Sequence, residues 1–211
     1  AIATEEMSIV SAQAVRQGVL DWDNFFTGWY RMVRRIVLGD AARDDTELTD
    51  LLEGLRYRAN YAFMRPQSRR KREEFLRRLA GYVETAAPES LAGRMARLTS
   101  EPGQQPHHQL PQYLFAFDPG GMATFRTLAL LAVHPEAEER VRAELDAAKG
   151  ETVPRLPFLR ACYLESLRLW PTTPAILRET TRRVHWKQGS LDQATHILIF
   201  APFFHRDDER L

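Results

Sequence analysis

Apolar residues recur at helical spacing along most of the chain. Phe25, Phe26, Trp29, Met32, Val33, Ile36 and Val37 fall on one stripe, and Gly39 follows where a closing residue belongs. A second stripe runs through Leu48, Leu51, Leu52, Leu55, Ala59, Ala62 and Phe63 and ends before Pro66. Phe75, Leu76, Leu79, Tyr82 and Val83 make a third. On its outer side Glu73 precedes Arg77, and Glu74 precedes Arg78, at the spacing where opposite charges support a helix. Leu91, Met95 and Leu98 predict a shorter helix, followed by a loop, SEPGQQPHHQLP, over 100–111. A long helix is predicted from about Gln112 to Val133. Pro135 opens the next, with Glu136, Glu138 and Glu139 in its first turn, Lys149 in its last and Gly150 after it. Pro157 opens a further helix that stops at Pro171.

Past Pro171 the pattern changes. Ile176 to Trp186 and Thr195 to Phe200 are rich in Thr, Ile, Val and aromatics, which predicts strands, with Gly189-Ser190 as the break between them. The expected class is mainly α with a small β region. There is no internal repeat and no linker, so 1–211 is read as a single domain.

Composition narrows the function classes. A net charge of +1 gives no electrostatic case for nucleic-acid binding. The cations are almost all arginine, a skew that fits a GC-rich, bacterial genome. One cysteine, Cys162, excludes an internal disulfide and a multi-cysteine zinc site. No apolar run approaches the ~20 residues that span a bilayer, and no signal peptide is visible. The chain starts at Ala1, so an anchor or targeting segment before it stays open. A phosphate-binding glycine loop and a Gly-x-Ser-x-Gly elbow are both absent. His107-His108 lies in the proline-rich loop without metal-ligand spacing. The basic run RPQSRRKR over 65–72 reads as a solvated helix start, with an acidic partner or membrane surface as the alternative.

Three segments carry chemistry. In CYLESLRLWP (162–171), Glu165 and Arg168 share one helix face three residues apart. Such pairs are common on solvated faces. Here Tyr163, Leu164, Leu167, Leu169 and Trp170 surround the pair, so a buried, mutually compensating pair is expected. Arg178 follows ten residues after Arg168, and a His205-Arg206-Asp207 triplet comes later. In YLFAFDPGGMATFRTLALLAVHPE (113–136), DPGG taken alone signals a turn. The apolar pattern continues on both sides of it, which favours a helix opened at Pro119.

In this order these segments resemble the cytochrome P-450 family. They are Asp118 on a long helix, His134-Pro135-Glu136, Glu165-x-x-Arg168 with Pro171 and Arg178, and His205-Arg206-Asp207. The resemblance covers roughly Trp22 to Leu211 and is strong from Leu114 onward. It implies an internal piece of a partial P-450 fold, the amino-terminal sheet and early helices lying before Ala1 and the haem-ligand cysteine loop beyond Leu211. Haem is the implied cofactor. Arg178 would hold a propionate, Ala116 would be the small residue of the helix crossing the haem, and Asp118 would be the acid that relays protons to bound dioxygen. The family's alcohol is replaced by Pro119, which has no hydroxyl. Thr124, on another face, is a poor substitute. Pro174, Ala175 and Ile176 would reach toward the substrate pocket. Glu165 and Arg168 would be a structural ion pair completed by a third charge outside this sequence. Cys162, mid-helix, is read as a small buried hydrophobe rather than the iron ligand.

The implied activity is monooxygenation of a hydrophobic small molecule in a soluble, bacterial-type, cytoplasmic enzyme served by a ferredoxin or flavoprotein. Two alternatives stay open: a peroxide-using haem-thiolate enzyme, suggested by Pro119, and a truncated, non-catalytic helical binding protein.

Overall fold

A computed structural model describes residues 1–61, 64, 66–85, 87–98 and 103–207. Ala62, Phe63, Arg65, Ser100 and Leu211 of the readings above lie outside these residues. The helical elements are α1 (Ile2–Gln17), α2 (Trp22–Leu38), α3 (Thr46–Asn60), α4 (Arg69–Thr85), α5 (Leu91–Ala96), α6 (Leu110–Val133), α7 (Pro135–Ala147), α8 (Pro157–Leu169) and α9 (Ala201–His205). Short 3-10 turns occupy Asp40–Ala42 and Pro106–Gln109. The strands are β1 (Ala175–Glu179), β2 (Val184–Trp186), β3 (Gly189–Leu191) and β4 (His196–Phe200). The expected class, mainly α with a small β region, is what the chain adopts. Among the described residues no helix is long and apolar enough to cross a membrane.

Contacts divide the chain into two compact units, Ala1–Gly121 and Met122–Leu211. Helix α6 begins in the first and ends in the second. The first unit holds the larger core. Met32, Val33 and Val37 of α2, Leu48 of α3, Phe75 and Leu79 of α4, and Leu110 and Leu114 of α6 are packed together and buried. These come from the three predicted stripes and the long helix, because burial of one apolar face is what makes each helix stable. Short side chains fix the helix starts. Asp21 accepts from the Asn24 amide at 2.8 Å, Asp45 from that of Leu48 at 3.1 Å and Ser90 from that of Gly93 at 2.9 Å.

Helix α1 escaped the sequence pattern. Its inward positions include a glutamate, Glu6, which is 1% exposed beside Val10. A buried carboxylate on the inner face erases the apolar stripe by which such a helix is recognised. It ends at Gly18 in the left-handed region, with φ of 74°.

In the second unit Pro157 opens α8, and the Glu144 carboxylate of α7 accepts from the amides of Phe158 (2.8 Å) and Leu159 (2.9 Å). A carboxylate there satisfies amides that lack helical partners and complements the dipole. Helix α7 ends at Ala147, so Lys149 lies just beyond its last turn and pairs with Asp146. Strand β1 pairs with β4, antiparallel, with Leu177 opposite Leu198 and Arg178 opposite Ile197. The Gly189-Ser190 break is corrected: both residues belong to β3, which forms a hairpin with β2, Trp186 facing Gly189. The turn falls two residues earlier, at Lys187-Gln188.

Candidate functional site

Helix α6 runs unbroken through Asp118-Pro119-Gly120-Gly121, so the apolar continuity outweighs the local turn signal. Proline removes the amide that would bond the Phe115 carbonyl, yet α2 and α3 brace the segment from the side. The Trp29 indole donates to the Phe117 carbonyl at 3.1 Å. Gly121 permits this approach, since a Cβ there would stand 2.8 Å from the Trp29 ring nitrogen.

Asp118 points into the first unit and is 1% exposed. The Tyr30 hydroxyl donates to its Oδ1 at 2.8 Å, and the Arg56 guanidinium pairs with its Oδ2. A charge this deep is held only by partners of this kind. Burial raises the Tyr30 phenol above its ordinary value, with the Arg56 charge opposing it. Neither partner was singled out from sequence. Their one trace is polarity beside an apolar stripe, Tyr30 next to Trp29 and Arg56 next to Leu55. Ala116 is exposed on α6, two residues and about 200° of helical turn from Asp118. The small residue and the acid therefore occupy nearly opposite faces.

Glu165 and Arg168 of α8 do meet. Arg168 donates from Nε at 2.7 Å and from Nη2 at 2.6 Å to the two carboxylate oxygens, a bidentate pair. The expected burial is corrected. Their side chains are 48% and 27% exposed, because Leu164 and Trp170 are themselves half-exposed rather than closing over the pair. The Arg168 contact holds the Glu165 carboxyl below its ordinary value, against burial. A pair this open contributes under about 1 kcal/mol. Its other task is positional. Arg168 Nη1 donates to the His205 carbonyl at 2.5 Å, and Arg206 Nη2 to the Leu169 carbonyl at 2.6 Å. The triplet that closes α9 is thereby tied to the end of α8.

Arg178 is exposed on β1, and its Nη1 donates to the Leu177 carbonyl at 2.8 Å. Among the described residues no carboxylate pairs with it. Strand alternation places it on one face with Ile176, whereas Ala175 faces the other way. Pro174 precedes the strand and its carbonyl accepts from the Ala201 amide at 2.9 Å. Ala175 and Ile176 therefore do not line one surface. Cys162 is half-buried in mid-α8, and the described residues hold no cluster of His, Cys, Asp and Glu fit for a metal. As an exposed guanidinium, Arg178 has the chemistry to hold a carboxylate such as the acidic edge of a haem.

Behind α6, the Thr127 hydroxyl donates to the Ala123 carbonyl at 2.7 Å and lies 3.1 Å from the Ser166 hydroxyl on α8. Both side chains are buried, so these hydroxyls join two helices and are closed to chemistry.

Comparison with known proteins agrees with this arrangement. The family model described as Cytochrome P450 matches residues 117–210. A cytochrome P450 monooxygenase, yanC, of Aspergillus niger is 33% identical over 102 residues, covering 42% of this chain and 19% of the relative. Cyclooctat-9-en-7-ol 5-monooxygenase of Streptomyces melanosporofaciens is 34% identical over 100 residues, covering 43% and 22%. Retinoic acid-bound cyanobacterial CYP120A1 superposes with a TM-score of 0.77 at 17% identity, over 96% of this chain and 53% of that one. The P450DA haem domain gives 0.76 at 16% identity, over 99% and 52%. The chain thus spans about a fifth of those curated relatives and about half of those solved chains. Motif order, the match and the shared fold agree: residues 117–210 match the cytochrome P450 family, and the chain adopts the fold of its solved members.

Proposed function

We propose that this chain is part of a haem-dependent monooxygenase that oxidises a hydrophobic small molecule with dioxygen and electrons from a ferredoxin or flavoprotein. Both units belong, on this reading, to one partial P450 domain of a soluble, cytoplasmic, bacterial-type enzyme. The observation that carries it is Arg178. An exposed guanidinium on a strand face with Ile176, lacking a carboxylate partner among the described residues, suits a propionate. Haem, when bound, supplies the redox-active iron. This chain's residues bind and orient. Arg178 holds the acidic edge, Ala116 offers a small surface on α6, and Pro174 and Ile176 approach the substrate, with Ala175 turned to the opposite face. Glu165 and Arg168 set the end of α8.

Asp118 is the proton-handling group, and it works at one remove. Its carboxylate is enclosed by Tyr30 and Arg56, so a proton reaches it through movement of the Arg56 side chain, which is 32% exposed. Haem titration tests the cofactor reading. The chain should take up haem at one equivalent, read from the Soret band, and Arg178→Ala should weaken uptake about tenfold, roughly 1.4 kcal/mol. Arg178→Lys should recover part of the loss. Equal uptake by wild type and Arg178→Ala would remove the propionate assignment.

Pro119 favours a second reading, a peroxide-using enzyme. The position that carries an alcohol in the family has no hydroxyl here, and α6 continues as a helix without one. In the holoenzyme, turnover with hydrogen peroxide should then exceed turnover with reduced nicotinamide cofactor and redox partners. Efficient electron-driven turnover with little peroxide activity rules this second reading out.

A further inference from the structure

Helix α2 carries two aromatic rows. Phe25 and Trp29 face inward, and Phe25 is 2% exposed. Trp22, Phe26 and Tyr30 recur every four residues beside them and are exposed or half-buried, so core packing does not account for this second row. The Trp22 and Phe26 rings stack with centroids 3.9 Å apart, and Phe26 and Tyr30 meet at a steep angle at 5.3 Å. The row covers eight residues, about 12 Å of helix. It starts at Trp22, which is 40% exposed, and ends at the Tyr30 hydroxyl, 2.8 Å from the buried Asp118 carboxylate.

Indole and phenol are the ring side chains that give up an electron most readily. A phenol that loses an electron becomes a strong acid and must pass on its proton. Tyr30 has a place for it, the Asp118 carboxylate in direct hydrogen-bond contact. Trp29 does not, since its indole donates to the Phe117 carbonyl, a weak base. Tyr82 also has a carboxylate, Asp45 at 2.8 Å, but among the described residues no ring contact includes it. Among the described residues, Tyr30 alone joins a proton acceptor to a row of rings that reaches the surface.

We propose that Tyr30 is a redox-active tyrosine, an electron donor connected to the surface by the Trp22–Phe26–Tyr30 row. One electron leaves Tyr30 for a strong one-electron oxidant, and the phenolic proton moves to Asp118. The products are a phenoxyl radical, a neutral carboxylic acid and the oxidant reduced by one electron. Arg56, 32% exposed, turns toward water while Asp118 carries the proton. An electron then passes from Trp22 to Tyr30, and the proton returns from Asp118 to the phenol oxygen. Trp22 sheds its indole proton to water and is restored by a hydrogen atom from an external thiol, which leaves as a thiyl radical. That such an oxidant arises beside α6, from activated peroxide or dioxygen, rests on the monooxygenase reading. The conduction does not, because it can be driven from outside.

The test flashes the 211-residue chain with photogenerated ruthenium(III) tris-bipyridine, which oxidises exposed rings. Tyrosyl radical is followed by transient absorption and by electron paramagnetic resonance of freeze-quenched samples. A hole entering at Trp22 should reach Tyr30, so part of the tyrosyl signal should be missing in Tyr30→Phe. Trp22→Phe, which keeps a ring but not the oxidisable indole, should lose the same part. Tyr82→Phe, and Trp186→Phe in the second unit, should keep it. Asp118→Asn should slow its appearance about a hundredfold, the low end of what a positioned base contributes. Identical signals in wild type and Tyr30→Phe overturn the proposal. So does a full Tyr30 signal in Trp22→Phe shown to be folded by circular dichroism. In the haem-loaded enzyme under hydrogen peroxide, Trp22→Phe should bleach the Soret band faster than wild type. An intact radical signal with unchanged bleaching would leave the row standing and discard its link to oxygen chemistry. A missing signal with normal haem uptake would discard the row alone.

Discussion

Asp118→Ala is expected to lower the stability of the first unit by about 3 kcal/mol. Two effects add. The Tyr30 hydroxyl loses its acceptor, and the Arg56 guanidinium is left beside an apolar wall without its counter-charge. Arg56 is partly exposed and can turn toward water, which keeps the cost at the lower end of the 3–5 kcal/mol found when a buried pair is broken. Asp118→Asn keeps an acceptor for Tyr30 and should cost less, about 1.5 kcal/mol. Urea unfolding followed by tryptophan fluorescence measures both, since Trp29 bonds to the same turn of α6. The double variant Asp118→Ala with Arg56→Ala should recover more than 1 kcal/mol of the summed single losses. Strict additivity would mean that Asp118 and Arg56 do not interact in solution. The same network bears on the proposed function, because Asp118 would have to be released from Arg56 to act as the relay proposed above.

Glu6→Gln should cost a similar amount, about 3 kcal/mol at neutral pH. Glu6 Oε1 accepts from Arg35 at 2.8 Å and from Arg43 at 2.6 Å, and its Oε2 accepts from Arg43 at 3.0 Å. Arg35 keeps Asp40 at 2.6 Å and Glu5 at 3.0 Å after the change, and Arg43 keeps Asp44 at 3.1 Å. Those retained partners prevent a larger loss. The pH dependence has a definite sign. Burial alone would raise the Glu6 carboxyl, but hydrogen bonds from Arg43 and then Arg35 outweigh it and hold it below the ordinary value of 4.5. A carboxyl with a lowered folded pKa contributes stability above its unfolded value and loses it as pH falls through the folded one. The gap between wild type and Glu6→Gln should therefore be full at pH 7 and close progressively below about 4.5. A gap that stays constant down to pH 3 would show that Glu6 is not ionised in the folded protein.

Much of the fold was legible because its signals are local. The stripes of α2, α3 and α4 follow from a 3.6-residue period, and prolines mark the starts of α7 and α8. The ordered motifs from Asp118 to Asp207 carry the resemblance to the cytochrome P450 family, and the family match falls on the same stretch, 117–210. The sites were legible as positions and not as environments. The Glu165–Arg168 pair formed as spacing requires, yet its exposure depends on how far Leu164 and Trp170 stand from cover. Strand content was legible, but register was not, and the shift of one turn moved Gly189 and Ser190 from a break into a paired strand.

By itself, then, the sequence determined the helical class, the run of α6 through Pro119 and the family resemblance of residues 117–210, because periodicity and motif order need no knowledge of what packs on what. The tertiary structure alone decided that α1 is anchored by a buried glutamate rather than by an apolar stripe. It also decided that Asp118 is enclosed by Tyr30 and Arg56. The physical reason is distance along the chain. Tyr30 and Asp118 are 88 residues apart, and a charge acquires its partners only when folding brings separate helices together.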